Sequence, residues 1–191
     1  MNNMFYKLGN EINNKLFPLC EFYKIENIRE NKLNVKIIEF KSFENLSYML
    51  DNCNSLYNIP DIVGFNNKKI NDLSFMFSNC NSLKALPNIS NLNTENVQNI
   101  NSMFLNCKSL INLPDISKWA TNNFLFINYL FYNCKSLLEI PDISKWNVEK
   151  AIDMSYMFYN YKSLKNIPGI SKWNISKNND SSYMFEIVNY Y

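Results

Sequence analysis

The sequence predicts an α/β repeat protein: a right-handed solenoid with one short strand and one short helix in each 27-residue coil. Three observations predict it. Cys53, Cys80, Cys107 and Cys134 stand 27 residues apart, and Pro60, Pro87, Pro114, Pro141 and Pro168 keep the same step. Each unit also holds a stretch with helix-like apolar spacing, followed by a short apolar run that ends in proline. A fixed period of this length is the signature of a stacked array, because one such unit cannot bury its own apolar face.

The elements follow in order along the unit. In VQNINSMFLNC, the residues Val97, Ile100, Met103, Phe104 and Cys107 recur at the spacing of one helix face, which predicts a short amphipathic helix. The asparagine before each cysteine (Asn52, Asn79, Asn106, Asn133, with Asn160 before Tyr161) suits a residue in the left-handed conformation that ends a helix. A Ser-Leu pair comes next, then Ile59-Pro60, Leu86-Pro87, Leu113-Pro114, Ile140-Pro141 or Ile167-Pro168. That run is too short for a second helix and ends in a residue without an N–H, so it predicts a brief strand. An isoleucine follows at 62, 89, 116, 143 and 170, then Phe65, Leu92, Trp119, Trp146 or Trp173. The coil closes on Met76-Phe77, Met103-Phe104, Leu130-Phe131, Met157-Phe158 and Met184-Phe185.

Residues 1–42 fall outside this register and are expected to form an N-terminal cap, with a helix at Phe5, Leu8, Ile12 and Leu16 ended by Pro18, and a strand at Leu33, Val35 and Ile37. Residues 43–191 then make about five repeats, the last one incomplete, whose final helix runs from Tyr183 to Val188.

Assembled as Met-Phe-Tyr-Asn-Cys-Lys-Ser-Leu-x-x-Ile-Pro-Asp-Ile-Ser-Lys-Trp-Asn, the unit resembles the BspA-like leucine-rich repeat over about residues 43 to 188. The resemblance implies a solenoid of leucine-rich-repeat type, commonly found at a cell surface and associated with adhesion to host or matrix proteins. The residues give no leader to match: Lys7, Glu11 and Lys15 interrupt every apolar run near the N-terminus, so the sequence as it stands predicts neither a signal peptide nor a membrane span, and a cytoplasmic chain.

Composition narrows the function. With 19 basic and 17 acidic residues dispersed along 191, the chain carries no basic stripe for a phosphate backbone, and nucleic acid is not an expected partner. The absence of histidine removes Ser-His and Cys-His nucleophile pairs and histidine metal sites, and three glycines leave no phosphate loop, so no catalytic residue and no cofactor is expected.

The recurring polar residues are read as structure. Four stacked cysteines would span about 14 Å, whereas two thiolates on one zinc lie within about 4.6 Å, and parallel Cβ vectors do not suit a disulfide. Buried reduced thiols are expected, and poor reactivity toward a thiol reagent. The tryptophan column holds Leu92 and Phe65 in earlier coils, which favours packing over an exposed aromatic stripe. The lysines at 108, 135 and 162 and at 118, 145 and 172 read as a solvated face. Asp61, Asp115 and Asp142, interrupted by Asn88, lack the glycine-rich turns of a calcium-binding repeat. The Asn-x-Ser sequons at Asn45, Asn88, Asn174 and Asn179 are expected by chance in so asparagine-rich a chain.

What varies from coil to coil on the strand is the candidate surface. One column reads Tyr57, Lys84, Ile111, Leu138 and Lys165, and its neighbour reads Asn58, Ala85, Asn112, Glu139 and Asn166. These residues are expected to bind a protein ligand, with Tyr57, Ile111 and Leu138 as apolar anchors. The alternative expectation is a structural role, in which the last coil, at Phe185, Ile187 and Val188, joins a second copy.

Overall fold

The computed structural model describes residues 44–57, 59, 68–160, 167–177 and 179–185. The expected N-terminal cap lies outside them. Five parallel bridges, Asn45 to Asp72, Asp72 to Asn99, Asn99 to Phe126, Phe126 to Asp153 and Asp153 to Asp180, tie successive 27-residue layers in one register. Residues at equal repeat positions therefore lie one over another, and their side chains form columns.

Where the sequence predicts a helix over 97–107, the described residues form successive turns instead, and the only helix among them is a short 3₁₀ turn at Ile170–Lys172. The backbone N–H groups explain why. In a helix every N–H beyond the first turn bonds inside its own segment. Here the N–H groups of Ile100, Ser102, Phe104 and Asn106 reach across to carbonyls of Phe126, Asn128, Leu130 and Tyr132 in the next layer, at 2.9–3.1 Å. The N–H groups in between close tight turns, Met103 to Ile100 and Leu105 to Ser102. The same alternation runs from Leu46 through Asn52 and from Leu73 through Asn79. Each turn segment thus spends half of its donors on its own curvature and half on its neighbour.

Such curvature needs a left-handed residue at every fourth position. Asn52, Asn79, Asn106, Asn133 and Asn160 have φ between 57° and 61°, so the conformation expected of them is present, but it lies within a run of turns and ends no helix. The position four residues earlier is also left-handed and carries Tyr48, Phe75, Ser102, Tyr129, Tyr156 and Tyr183. Bulky residues adopt this region at a cost of about 1–2 kcal/mol each. The interlayer hydrogen bonds and the ring stacking of neighbouring layers offset that strain. The expected C-terminal helix is likewise absent from Tyr183 to Phe185, which are in a turn; Ile187 and Val188 lie outside the described residues.

The predicted strand is reduced to one rung per layer. Lys84 N–H donates to the carbonyl of Tyr57, Ile111 to Lys84, and Leu138 to Ile111, at 3.1–3.2 Å. No longer ladder forms among the described residues there, because the proline a few positions on has no donor to extend it.

The core is continuous from layer to layer. Leu83, Leu110 and Leu137 are buried, as are Ile89, Ile116 and Ile143 and Met76, Met103 and Met157. Phe77, Phe104, Phe131, Phe158 and Phe185 stack in sequence with centroids 5.5–5.7 Å apart. Trp119, Trp146 and Trp173 are buried and stacked at 6.0–6.1 Å, and each indole N–H donates to the carbonyl of Ile89, Ile116 or Ile143. An indole buried in this way needs its partner, and the preceding layer's backbone supplies it.

Candidate interaction surface

The rung that ties one layer to the next also fixes the candidate surface. Tyr57, Lys84, Ile111 and Leu138 hold their backbones in register by the bonds just described, while their side chains face solvent; Tyr57 is 59% exposed, Ile111 37% and Leu138 56%. Lys84 lies over the Tyr57 ring, with its Nζ 5.0 Å from the centroid, a weak attraction at this exposure. Ala85, Asn112 and Glu139 are exposed beside them. Asn58, Lys165 and Asn166 lie outside the described residues. The structure therefore places six described members of the candidate site, plus Ala85, as exposed side chains on one face.

The cysteines do not contribute to a surface. Cys53, Cys80, Cys107 and Cys134 are buried thiols, and Cys80, Cys107 and Cys134 each direct Sγ at the carbonyl of the residue thirty positions back, at 3.0–3.1 Å. Burial pushes the Cys134 thiol up to about 12 and, with Cys134 alongside, lifts Cys107 well above its ordinary value. A thiol held this way is a poor nucleophile and a poor metal ligand.

Asp115 and Asp142 cap local turns. Their carboxylates accept the N–H of Ser117 and Ser144, and the side-chain and backbone bonds from those serines hold both groups below the usual carboxylate range. Lys118 pairs with Asp115 at 3.8 Å in an exposed contact that contributes little. Lys108, Lys118, Lys145 and Lys172 are exposed.

Two polar and aromatic arrangements have no counterpart in the sequence reading. The left-handed asparagines form a side-chain ladder, in which Asn106 Nδ2 donates to Asn79 Oδ1, Asn133 to Asn106, and Asn160 to Asn133, at 2.6–2.9 Å. The left-handed aromatic column stacks as well: Tyr129 on Tyr156 and Tyr156 on Tyr183 at 4.9 Å, with Tyr132 on Tyr159 at 5.1 Å beside them. The repeat step from Tyr129 to Tyr156 to Tyr183 was the available signal. A helix reading hides it, because packed helices stand about 8–10 Å apart, too far for equivalent rings to stack.

The stacked layers and their variable face define a repeat protein. The model of the family described as "Mycoplasma protein of unknown function, DUF285" matches residues 44–166 and 84–190, and the chain belongs to that family. No curated protein and no solved structure gives a match.

Proposed function

We propose that the chain is a non-enzymatic protein–protein interaction module, a right-handed solenoid of the leucine-rich-repeat type and of the BspA-like kind, serving an adhesion-type role. The observation that carries this reading is the contrast within one column. The backbone at Tyr57, Lys84, Ile111 and Leu138 is tied layer to layer, and the side chains on it are exposed and differ in every layer. A surface of that kind changes specificity without disturbing the core beneath it. Among the described residues no helix is long and apolar enough to cross a membrane.

The test is capture with the wild-type chain and with an Ile111→Asp/Leu138→Asp variant, offered purified matrix proteins and the extract of the native cell. The expected result is a ligand retained by the wild type and lost by the variant, with unchanged circular dichroism. Equal retention by both overturns the reading. Sedimentation separates it from self-assembly through the C-terminal coil, where Phe185 is 54% exposed beside Phe158: a concentration-dependent oligomer favours assembly.

A further inference from the structure

The turn segments 44–52, 71–79, 98–106, 125–133, 152–160 and 179–187 occupy the same place in successive units, and none of them contains a lysine or arginine. With 19 basic residues in 191, an even spread would put about five there. The same segments contain Glu44, Asp51, Asp72, Asp153, Asp180 and Glu186. Their register is set by the parallel bridges, so the described members of this set share one face.

That face is also aromatic. Tyr129, Tyr132, Tyr156 and Tyr159 are half-buried, Tyr183 is 57% exposed, and Phe126 and Ile152 are exposed beside them. The rings pack face to face along the stack, so ring edges and hydroxyl groups are what they offer sideways to a partner. The fold does not demand aromatic residues here, since Ser102 occupies the column in layer three. Burial first, then the neighbouring Tyr156, Asp153, Tyr132 and Asp180, raise Tyr129 above its ordinary value.

We propose that this tyrosine-lined face, whose turn segments carry acidic but no basic residues and are flanked by the exposed Lys150 and Lys177, binds an extended polypeptide segment rich in lysine or arginine. The apolar stems of such side chains pack along the ring edges, and their charged heads reach Asp153, Asp180 and the phenol oxygens. A second copy of the chain is a poorer occupant. Its lysine columns at 118 and 145 stand three residues after Asp115 and Asp142, and the Lys118–Asp115 pair is formed within the chain. The face uses columns other than those of Tyr57, Ile111 and Leu138, so it stands or falls separately from the surface proposed above.

The test measures fluorescence anisotropy of a fluorescein-labelled Lys-Gly repeat peptide, and of its Glu-Gly counterpart, with the whole chain. Because the net charge is +2, bulk attraction does not account for capture of a cationic peptide. Asp153→Asn/Asp180→Asn keeps the turns, since Asn45 and Asn99 make the same bond in their layers. Tyr156→Ser/Tyr183→Ser mimics layer three. The expected result is saturable binding of the Lys-Gly peptide alone, weakened about fivefold or more by either double variant, and unchanged in Ile111→Asp/Leu138→Asp. Absence of wild-type binding, equal binding of the Glu-Gly peptide, undiminished binding by either double variant, or self-association abolished by Asp153→Asn/Asp180→Asn overturns the proposal.

Discussion

Asn106 combines two demands that no other side chain meets as well. Its backbone sits at φ 58°, and its side chain both donates to Asn79 and accepts from Asn133. Asn106→Gly keeps the backbone relaxed and loses the ladder, whereas Asn106→Ala loses the ladder and adds left-handed strain. Urea unfolding is expected to place Asn106→Ala about 1 kcal/mol below Asn106→Gly in stability. If the two are equal, the left-handed geometry carries no cost. Phe131 and Phe185 give a second comparison at this scale. Phe131 is fully buried between two rings, and its truncation to alanine is expected to cost about 3–5 kcal/mol. Phe185 stacks on Phe158 and is half exposed, so Phe185→Ala is expected to cost about 1 kcal/mol in the same assay.

The buried thiols add a pH dependence. Folding holds Cys134 protonated up to about 12, above its ordinary 9.0, so the folded state binds more protons than the unfolded chain between those values. The contribution is fully present below pH 9 and is lost as pH rises through 12. Stability measured by urea midpoint is expected to fall across that window, and a Cys134→Ala variant is expected to show a shallower fall. The aspartates act oppositely. Asp115, Asp142 and Asp180 are depressed by their serine bonds, so their contribution is present above their ordinary 3.8 and is lost as pH drops below it.

Among elements, the turn segment shows how two structures share one periodicity. Apolar residues three and four apart describe one face of a helix, and they equally describe a chain that turns every few residues with its apolar side chains inward. What separates the two is the destination of the N–H groups, and that depends on a neighbour stacked within reach. Gly169 shows the same dependence in a single residue. It occupies the repeat position of Asp115 and Asp142, with φ 83°, and a Cβ there would collide with Ser144 of the preceding layer. Restoring the majority residue by Gly169→Asp is therefore expected to lower the thermal midpoint rather than raise it, against the usual benefit of a consensus change. A rise in the midpoint would mean that the close approach relaxes without cost.

For the whole molecule, the register implies that a layer is an interchangeable unit. Deleting residues 98–124 removes one complete 27-residue repeat and joins Val97 to Leu125, which is the residue that follows in register. That variant is expected to fold cooperatively at a lower urea midpoint, because stability in a stack is nearly a sum over layers and junctions. Deleting one residue fewer is expected to abolish cooperative unfolding, since every column beyond the junction then loses its partner. Circular dichroism against urea checks both.

The repeat length, the inward positions and the fate of Cys107 and Trp146 were legible in the chain, because stacking forces the same choice of residue again and again. Tyr57, Lys84, Ile111, Asn112, Leu138 and Glu139, singled out because they vary from unit to unit, are exposed. By itself, then, the sequence determined which apolar columns face inward and how far apart equivalent positions stand. The tertiary structure alone decided that the turns replace helices, that the asparagines join across layers, and that the tyrosines and aspartates gather on one face. The physical reason is that these last features depend on hydrogen bonds and ring contacts between residues 26 to 28 positions apart, whose partners exist only once the next layer is in place.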